Sequence, residues 1–490
     1  MTVPPIDRRP PLTLDDARAI YRQGEDAVMR AIVALSERVA ELEQQTAKHS
    51  GNSSKPPGSD GLRRPPRRYA KRERSGRRPG GQVGHPGRTL RLTASPDVVE
   101  RHTVSRCSGC NLSLAGVTGD IEKRQVFDIP PLSLTVTEHQ AERKVCPHCD
   151  TNNRAPFPDG VLPGATYGMR FQALAIYLQH QQLLPYERTA DLLEDLFGVR
   201  PSVGTLAEFQ RRCAERVRPA EDTTCALLRR ADLILCDETG AHCNADLHWV
   251  HTTSHPALTH YGFDAGRGQD AIRRIGILPH FSGQVVHDHL AAYFTFDCTH
   301  ILCNAHHLRE LRFVAEVCGE RWAGQLHTLL RKMYVAVQKA VARGASSLSV
   351  RQRRRYRAAY RRVIACGERL HRRLGRPVVS VAGKRGRKKQ RPGKNLLDRL
   401  KRCEAGTLAF INDFTVPRLA ANNLAERDLR MVKVKMNISG GFRNRLAAVS
   451  FFRIRGYIST ARKQNWDILD SILAAVRGTP FIPAMSPSAE

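Results

Sequence analysis

The chain has 490 residues, of which 78 are Lys or Arg and 47 are Asp or Glu, so its formal net charge is +31 at pH 7. This excess favours a polyanionic partner, with nucleic acid as the first choice, and the length predicts several domains, roughly three. No stretch approaches about 18 consecutive apolar residues and the first residues lack an apolar signal core, which argues against a membrane span and a secretory signal.

The first predicted element is a helix over residues 13–48, within a helical segment of residues 1–49. Its apolar residues follow the alternating four- and three-residue spacing of a coiled-coil seam. They are Val28, Ile32, Leu35, Val39 and Leu42. Because only about two heptads are regular, the pattern fits an ordinary amphipathic helix as well as a coiled coil.

A basic arm rich in proline and glycine follows over residues 50–100. Residues 61–91 carry eleven Lys and Arg against Glu73 alone, a net charge of +10. The prolines and glycines there oppose regular structure. We therefore expect a flexible segment that contacts phosphate, in preference to a merely solvated linker.

Two CxxC motifs with 35 residues between them predict a zinc-binding module over residues 101–155. Two such turns supply four thiolates, the tetrahedral set that structural Zn²⁺ prefers. The four are Cys107, Cys110, Cys146 and Cys149. The segment 121–145 between them is predicted to form strands. The alternatives are four unrelated buried cysteines or a redox pair, for which the sequence offers no thioredoxin-like context. The chain's 13 cysteines, odd in number and spread out, are typical of a reducing compartment.

Helical periodicity returns over residues 165–220. A helix is predicted at Tyr186–Phe197, Gly198 ends it, and a further helix begins after Pro201-Ser202 with Arg211 and Arg212 facing outward. Two short helices joined by a turn that contains glycine are typical of a helix-turn-helix. A plain helical hairpin fits the pattern equally well, although the arginine face favours DNA.

Residues 228–445 mix strands with helices, which indicates an α/β unit. Asp237 ends the apolar run LILCD and Asp288 ends QVVHD. Carboxylates at the ends of neighbouring strands converge and bind hard cations such as Mg²⁺, which suits phosphodiester chemistry. Spacing leaves the third acid open between Glu310 and Glu426, and Glu426 could instead belong to a capping box with Asn423 as N-cap.

The remaining chain is mostly helical and basic. Residues 305–420 include Lys384–Lys394, which holds seven basic residues and no acid, Lys388 and Lys389 among them. Cys303 and His306 have the spacing of metal ligands, but no second pair is evident, so we interpret them as core and helix-start residues. A C-terminal helical segment is predicted over residues 446–490. The sequence has no Walker A loop, so ATP is not implied.

Taken in series, these motifs resemble the transposase (TnpC type) of the insertion sequence 66 family. The resemblance runs from about residue 50 to the C-terminus, and its motifs follow the family's order. The matching segments are SGNSSKPPGSD, GGQVGHPGRTL, the two CxxC motifs, DETG, HDHLAAY, CNAHHLREL and NNLAERDLRMVKVKMNISGGFRN.

The resemblance implies a multidomain α+β protein with a ribonuclease-H-like DDE catalytic core. That core spans residues 228–445, with a helical insertion at about 312–415. The zinc-ribbon-like module and the helix-turn-helix precede it. The resemblance places the third acid at Glu426, so that Asp237, Asp288 and Glu426 would bind Mg²⁺ or Mn²⁺, in addition to the structural Zn²⁺.

The implied activity is binding of terminal inverted repeats, cleavage of the ends and joining of the 3′-OH to target DNA. Basic residues near Glu426 are expected to contact DNA backbone. They are Arg427, Arg430, Lys433 and Lys435. A homodimer or higher oligomer, helper proteins from neighbouring reading frames and a cytoplasmic, nucleoid-associated location in a prokaryote are further expectations. The rival functions are a catalytically silent DNA-binding regulator and a hydrolytic nuclease.

Overall fold

The computed structural model describes residues 13–49, 51–53, 90–158, 161, 163–375, 390–417 and 421–485. The chain divides into two compact units. The larger comprises Met1–Leu62, Pro158–Glu194 and Val199–Glu490, and the smaller comprises Arg63–Phe157 and Asp195–Gly198. Most of the predicted basic arm, and Lys388 and Lys389, lie outside the described residues.

The N-terminal segment forms two helices where one was predicted. α1 spans Leu14–Arg22, with Thr13 as its capping residue, and α2 spans Glu25–Thr46. The break falls at Gly24, whose φ of 96° lies in the left-handed region that glycine adopts without strain. Four residues of the predicted seam, from Ile32 to Leu42, are 46–56% exposed.

The smaller unit contains little regular structure. β1 (Arg143–Val145) pairs antiparallel with β2 (Asn152–Arg154). The prediction of strands over residues 121–145 is therefore wrong except for the last three residues. The apolar side chains there remain exposed, as in Val126 at 92% and Val136 at 88%, so no buried face stabilises a sheet.

Four helices precede the main sheet; the first three fall within the predicted helical region, and the fourth extends beyond it. They are α3 (Met169–Ile176, extended by a π-helical turn over Tyr177–Gln181), α4 (Tyr186–Phe197), α5 (Val203–Arg216) and α6 (Arg218–Arg229). Ser202 caps α5 by accepting a hydrogen bond from the Thr205 backbone N–H at 3.0 Å. Leu206, Phe209 and Cys213 form its buried face.

The centre of the larger unit is a five-stranded mixed sheet. Its strands are β3 (Leu233–Cys243), β4 (Asp246–His255), β5 (Leu258–Asp264), β6 (Gln284–His287) and β7 (Thr299–Leu302). Their order is β5-β4-β3-β6-β7. The first three strands form an antiparallel meander, whereas β6 pairs parallel with β3 and β7 pairs parallel with β6. A short helix, α7 (Gln269–Ile275), lies between β5 and β6 in the chain.

The helices that follow β7 in the chain form a hydrophobic core that continues onto one face of the sheet. They are α8 (Asn304–Glu316), α9 (Arg321–Val341), α10 (Val350–Leu374), α11 (Pro392–Arg402), α12 (Glu404–Thr407) and α13 (Ala409–Asn412). Leu330 and Leu397 are fully buried in this core, which Leu235 of β3 and Val286 of β6 join from the sheet.

Three C-terminal helices complete the larger unit. They are α14 (Asn423–Ser439), α15 (Arg445–Lys463) and α16 (Ile468–Arg477). α14 packs across β3 and β4, and α15 packs on β5 and α5. In the part of the chain that the structure describes, no helix combines the length and the apolar character needed to cross a membrane.

Candidate active site

Asp237 and Asp288 lie where β3 and β6 separate. The parallel register joins Leu233 to Gln284 and Leu235 to Val286. Continuing it by two residues places Asp237 beside Asp288, on the face that carries Leu235 and Val286. Asp288 directly follows its strand as predicted, but the prediction that Asp237 ends a strand is wrong. β3 continues to Cys243 because β4 remains its partner after β6 ends.

Glu426 lies in the first turn of α14, near the point where β3 and β6 separate. The residue before the helix, Asn422, is buried, and its side-chain amide donates to the Cys236 carbonyl at 2.7 Å. Its backbone N–H donates to Cys303 Sγ at 3.2 Å. The helix start is therefore tied to the residue that precedes Asp237.

The capping box considered for Glu426 is not formed. The N-cap is Asn422, not Asn423, and its side chain makes no capping hydrogen bond. Oε1 of Glu426 is buried without a hydrogen-bond partner among the described residues. The Glu426 carboxylate is therefore not engaged in capping the helix.

The electrostatics of Asp237 link it to the other two acids. Burial raises the pKa of Asp237 to about 8, and the negative charges of Glu238, Asp288 and Glu426 add to the rise. Three neighbouring carboxyl groups supply the oxygen ligands that a hard divalent cation prefers. This donor set fits Mg²⁺ or Mn²⁺.

Glu238, the neighbour of Asp237, is already satisfied. Its carboxylate accepts hydrogen bonds from Arg267 at 2.7 and 3.0 Å and from the Tyr293 hydroxyl at 2.8 Å. The Arg267 guanidinium also stacks over Trp249, 4.7 Å from the ring centroid. Glu238 thus forms a buried ion pair with Arg267, on the face of β3 opposite to Asp237.

Glu310, the other candidate for the third acid, also has a cationic partner. It lies on α8 and pairs with Arg399 of α11. Nη1 of Arg399 lies 2.6 Å from Nε2 of His289. Burial lowers the pKa of Arg399 to about 10. Glu310 is therefore neutralised by an arginine, whereas Glu426 lies near the aspartates.

A hydrogen-bond network fixes α14 to the sheet two residues beyond Glu426. Asp428 Oδ2 accepts from Ser254 Oγ at 2.6 Å, Thr259 Oγ1 at 3.1 Å and Lys463 Nζ at 2.7 Å. The Tyr261 hydroxyl donates to the Asp428 carbonyl at 2.9 Å. Residues of β4, β5 and α15 thus set the position of the helix that carries Glu426.

The two CxxC motifs form matching turns in the smaller unit. The N–H of Cys107 donates to the Leu112 carbonyl and that of Cys146 to the Thr151 carbonyl, both at 2.9 Å. The residue after each second cysteine has a positive φ. The four cysteine sulfurs do not lie together around one point. Among the described residues, the group of three or more potential metal ligands that do lie close together is in the larger unit.

Comparison with known families assigns the chain. Residues 164–450, more than half of the chain, match the family described as Transposase IS66 family. Residues 105–150 match the zinc-finger binding domain of transposase IS66, and residues 10–91 match a family of unknown function, DUF6444. A search of curated proteins found no match.

The chain belongs to the IS66 transposase family. The resemblance inferred from the sequence is confirmed, and the chain contains a zinc-finger domain whose match covers both CxxC motifs. The matched transposase region begins before α3 and ends within α15, so it contains the helices α3–α6, the sheet and all three acids.

In this IS66 family member, the basic residues of α14 do not all share one face. Arg427, Arg430 and Lys433 are exposed, and none of the three forms an ion pair with a described residue. Lys435 differs, because its ammonium donates to Ser439 Oγ at 3.0 Å and lies 5.6 Å from the Phe451 ring centroid. Lys435 therefore has contacts within the protein that the other three lack, and its contact with DNA stays a prediction.

The two arginines predicted to face outward on α5 have carboxylate partners. Arg211 pairs with Glu208 at 2.6 Å and with Glu215 at 2.7 Å, and Arg212 pairs with Glu208 at 2.7 Å. Each arginine side chain remains 41% exposed. These pairs reduce the positive charge that the face presents to solvent.

A stronger basic surface, which the sequence pattern did not single out, lies on α10. We call it the α10 arginine face. Seven exposed arginines follow helical spacing along one side, opposite the buried Tyr360 and Ile364. They are Arg351, Arg354, Arg355, Arg362, Arg369, Arg372 and Arg373. Helical periodicity applied to the charged residues, as to the apolar ones, could have found this face from the sequence.

Proposed function

We propose that this protein is a DDE transposase that binds the terminal inverted repeats of an insertion sequence, cleaves its ends and joins the 3′-OH to target DNA. One observation carries the proposal. Asp237, Asp288 and Glu426, far apart in the chain, come together where β3 and β6 separate, and none of the three pairs with a Lys or Arg among the described residues.

The sheet topology supports a ribonuclease-H-like core. An antiparallel meander is followed by two parallel strands, in the order β5-β4-β3-β6-β7. The acids lie on the first strand of the meander, after the first parallel strand, and on the helix that follows a helical insertion. That is the arrangement the family resemblance implies.

The chemistry consists of two in-line displacements at phosphorus. Water attacks the phosphate at the transposon end, and the P–O3′ bond breaks to free a 3′-OH. That hydroxyl then attacks a target phosphate, and the target 3′ oxygen leaves. When bound to the three acids, a pair of Mg²⁺ or Mn²⁺ ions would activate the nucleophile and stabilise the leaving oxygen. Asp237 and Asp288 provide fixed ligands from the sheet, and Asn422 and Asp428 orient the helix of Glu426.

DNA contacts are assigned to several surfaces. Arg427, Arg430 and Lys433 follow Glu426 on α14, are exposed, and would contact the DNA backbone. The α10 arginine face provides a second, longer surface. The helices α4 and α5, as a helix-turn-helix, and the zinc finger would bind the ends, while the exposed apolar seam of α2 would pair two chains so that two ends are brought together.

The test of the function is strand transfer on duplexes that carry the element's ends, with Mg²⁺ or Mn²⁺. Glu426→Gln is expected to abolish transfer while end binding persists, because it removes a metal-binding charge and leaves the surface intact. Glu310→Gln is the matched control and should retain transfer. The opposite outcome would assign the third acid to Glu310. Cleavage without joining would indicate a nuclease, and binding without cleavage a regulator.

Metal analysis tests the zinc finger. We propose that Cys107, Cys110, Cys146 and Cys149 hold one structural Zn²⁺, as four thiolates do in zinc ribbons. Replacing Cys107 and Cys146 together by serine should remove about one zinc per chain, because each CxxC motif then lacks one ligand. Replacement of the buried Cys213 and the half-buried Cys225 by serine, as control, should leave the zinc content unchanged. An equal zinc content in the Cys107→Ser/Cys146→Ser variant and in the original chain would refute the assignment.

The α10 arginine face is expected to contribute a large part of the salt dependence of DNA binding. Replacing Arg351, Arg354, Arg355 and Arg362 together by glutamine should flatten the slope of log K against log salt by about 3–4, since each phosphate contact contributes about 0.9. Arg361→Gln is the control, because Arg361 already pairs with Glu404. An unchanged slope in the fourfold variant would remove this face from the DNA interface.

A further inference from the structure

One group of metal-ligand side chains lies beside the proposed catalytic acids. Cys303 follows β7 and immediately precedes α8, and His306 lies in the first turn of that helix. Glu426 approaches from α14. The Cys303 sulfur, a His306 ring nitrogen and a Glu426 carboxylate oxygen all lie within 4.8 Å of one another.

Two of these groups have unused polar atoms. Nδ1 of His306 and Oε1 of Glu426 face each other at 3.9 Å, which is too long for a hydrogen bond. Both atoms are buried, and neither has a hydrogen-bond partner among the described residues. Buried polar atoms are ordinarily satisfied, so an unpaired nitrogen and an unpaired oxygen aimed at one point indicate a missing ligand.

The third group is shaped for a metal as well. Cys303 is only 1% exposed, so its sulfur is protected from solvent. The sulfur accepts the N–H of Asn422 at 3.2 Å, a contact of the kind that orients ligands and tunes their affinity in metal sites. The same Asn422 begins α14, so the contact also holds Glu426 near the sulfur.

The donor set selects the class of ion. Sulfur, imidazole nitrogen and a carboxylate oxygen are the ligands of Zn²⁺, and a site with three protein ligands leaves the fourth position open. Mg²⁺ prefers oxygen ligands and gains nothing from the thiol or the imidazole. The cluster is thus chemically distinct from the all-carboxylate set, although it shares Glu426 with it.

We propose that Cys303, His306 and Glu426 form a zinc-binding site that withdraws Glu426 from the catalytic acids and so inhibits strand transfer. The binding part rests on the geometry of these three side chains alone. The inhibition rests on the proposed function, because it requires Glu426 to be the third catalytic acid.

Binding is tested on the full chain with Co²⁺ as a spectroscopic substitute for zinc. In a Cys107→Ser/Cys146→Ser background, the cluster should take up one Co²⁺ per chain and give a thiolate-to-metal charge-transfer band. Cys303→Ser should abolish that band. His306→Asn should keep the band but weaken Co²⁺ affinity by about 10-fold or more, as loss of a metal-site partner does. A band that survives Cys303→Ser overturns the site.

Inhibition is tested by titrating Zn²⁺ into strand transfer reactions that contain a fixed excess of Mg²⁺. The strand transfer activity of each variant is expressed relative to the activity of the same variant without zinc. In Cys303→Ser and His306→Asn, half-inhibition should require at least about 10-fold more zinc than in the original chain. Identical inhibition curves overturn the inhibitory role. If no chain transfers strands at all, the proposed function fails, while the Co²⁺ spectra still decide the site.

Discussion

Asp237→Asn is expected to abolish strand transfer and, at the same time, to stabilise the metal-free protein. The loss of activity should be about 10³-fold or more, as for residues that act as one catalytic unit. The gain in stability follows because the site buries the Asp237 carboxyl group and surrounds it with other carboxylates. A change that removes activity while raising the melting temperature is typical of a strained functional residue and not of a damaged core.

The sign of the stability change follows from the pKa. The pKa of Asp237 rises from an ordinary 3.8 to about 8 in the folded chain. The folded state therefore holds the proton more tightly than the unfolded state does, and stability falls as pH rises between these two values. Asparagine stays neutral and avoids this loss. The difference in melting temperature should be largest near pH 8 and should disappear as pH falls towards 4.

Thermal unfolding of both chains without metal, at pH 5 and pH 8, measures this prediction. Added Mg²⁺ should narrow the gap at pH 8, because it stabilises only the chain that keeps the carboxylate. Mg²⁺ binding should also tighten as pH rises from 6 to 8, since the proton must leave first. Glu310→Gln, the control, should melt lower, because it leaves Arg399 without its carboxylate. A lower melting temperature for Asp237→Asn at pH 8 would contradict the prediction.

The order of elements along the larger unit was predictable from the sequence because local patterns encode it. The runs that end at Asp237 and Asp288 are apolar and short, and both form strands. The extent of β3 was not predictable. Asp237 and Glu238 are strongly polar, and their place inside a strand depends on pairing with β4, which no local pattern of β3 reveals.

The choice between Glu310 and Glu426 depends on contacts that are distant in sequence. Arg399, which pairs with Glu310, lies 89 residues further along the chain. Only the family resemblance pointed to Glu426 before the structure was known. In the same way, Cys303 and His306 have a ligand spacing that the sequence displays, but their third partner comes from α14, so the convergence appears only in the fold.

Side-chain orientation was the least predictable feature. Lys433 and Lys435 are two residues apart on α14, yet one is exposed and the other lies against Phe451. Residues 121–142 are a case in which the sequence pattern predicts strands that the structure does not form. Their alternating pattern favours strands, but the smaller unit offers no second layer within its described residues, and the apolar side chains remain in solvent.

The second large effect concerns Lys463, the last residue of α15. Its ammonium donates to Asp428 at 2.7 Å and to the carbonyls of His255 and Leu258 at 3.0 and 2.9 Å. Lys463→Met leaves the Asp428 carboxylate buried without its ion-pair partner and removes one donor from each of the two carbonyls. Removing one partner of a buried ion pair costs about 3–5 kcal/mol, so the free energy of unfolding should fall by that amount.

Urea unfolding measures the loss, with Lys401→Met as the matched control. Lys401 pairs with Glu368 at the surface, where such a pair contributes about 0–1 kcal/mol. The double variant Lys463→Met/Asp428→Asn should recover part of the stability, because it no longer buries a lone charge. The departure of its unfolding free energy from additivity measures the interaction between the two side chains. A loss no larger than in Lys401→Met would show that Asp428 holds α14 through its hydroxyl donors alone. In that case, the position of Glu426 would depend on Ser254 and Thr259 and not on α15.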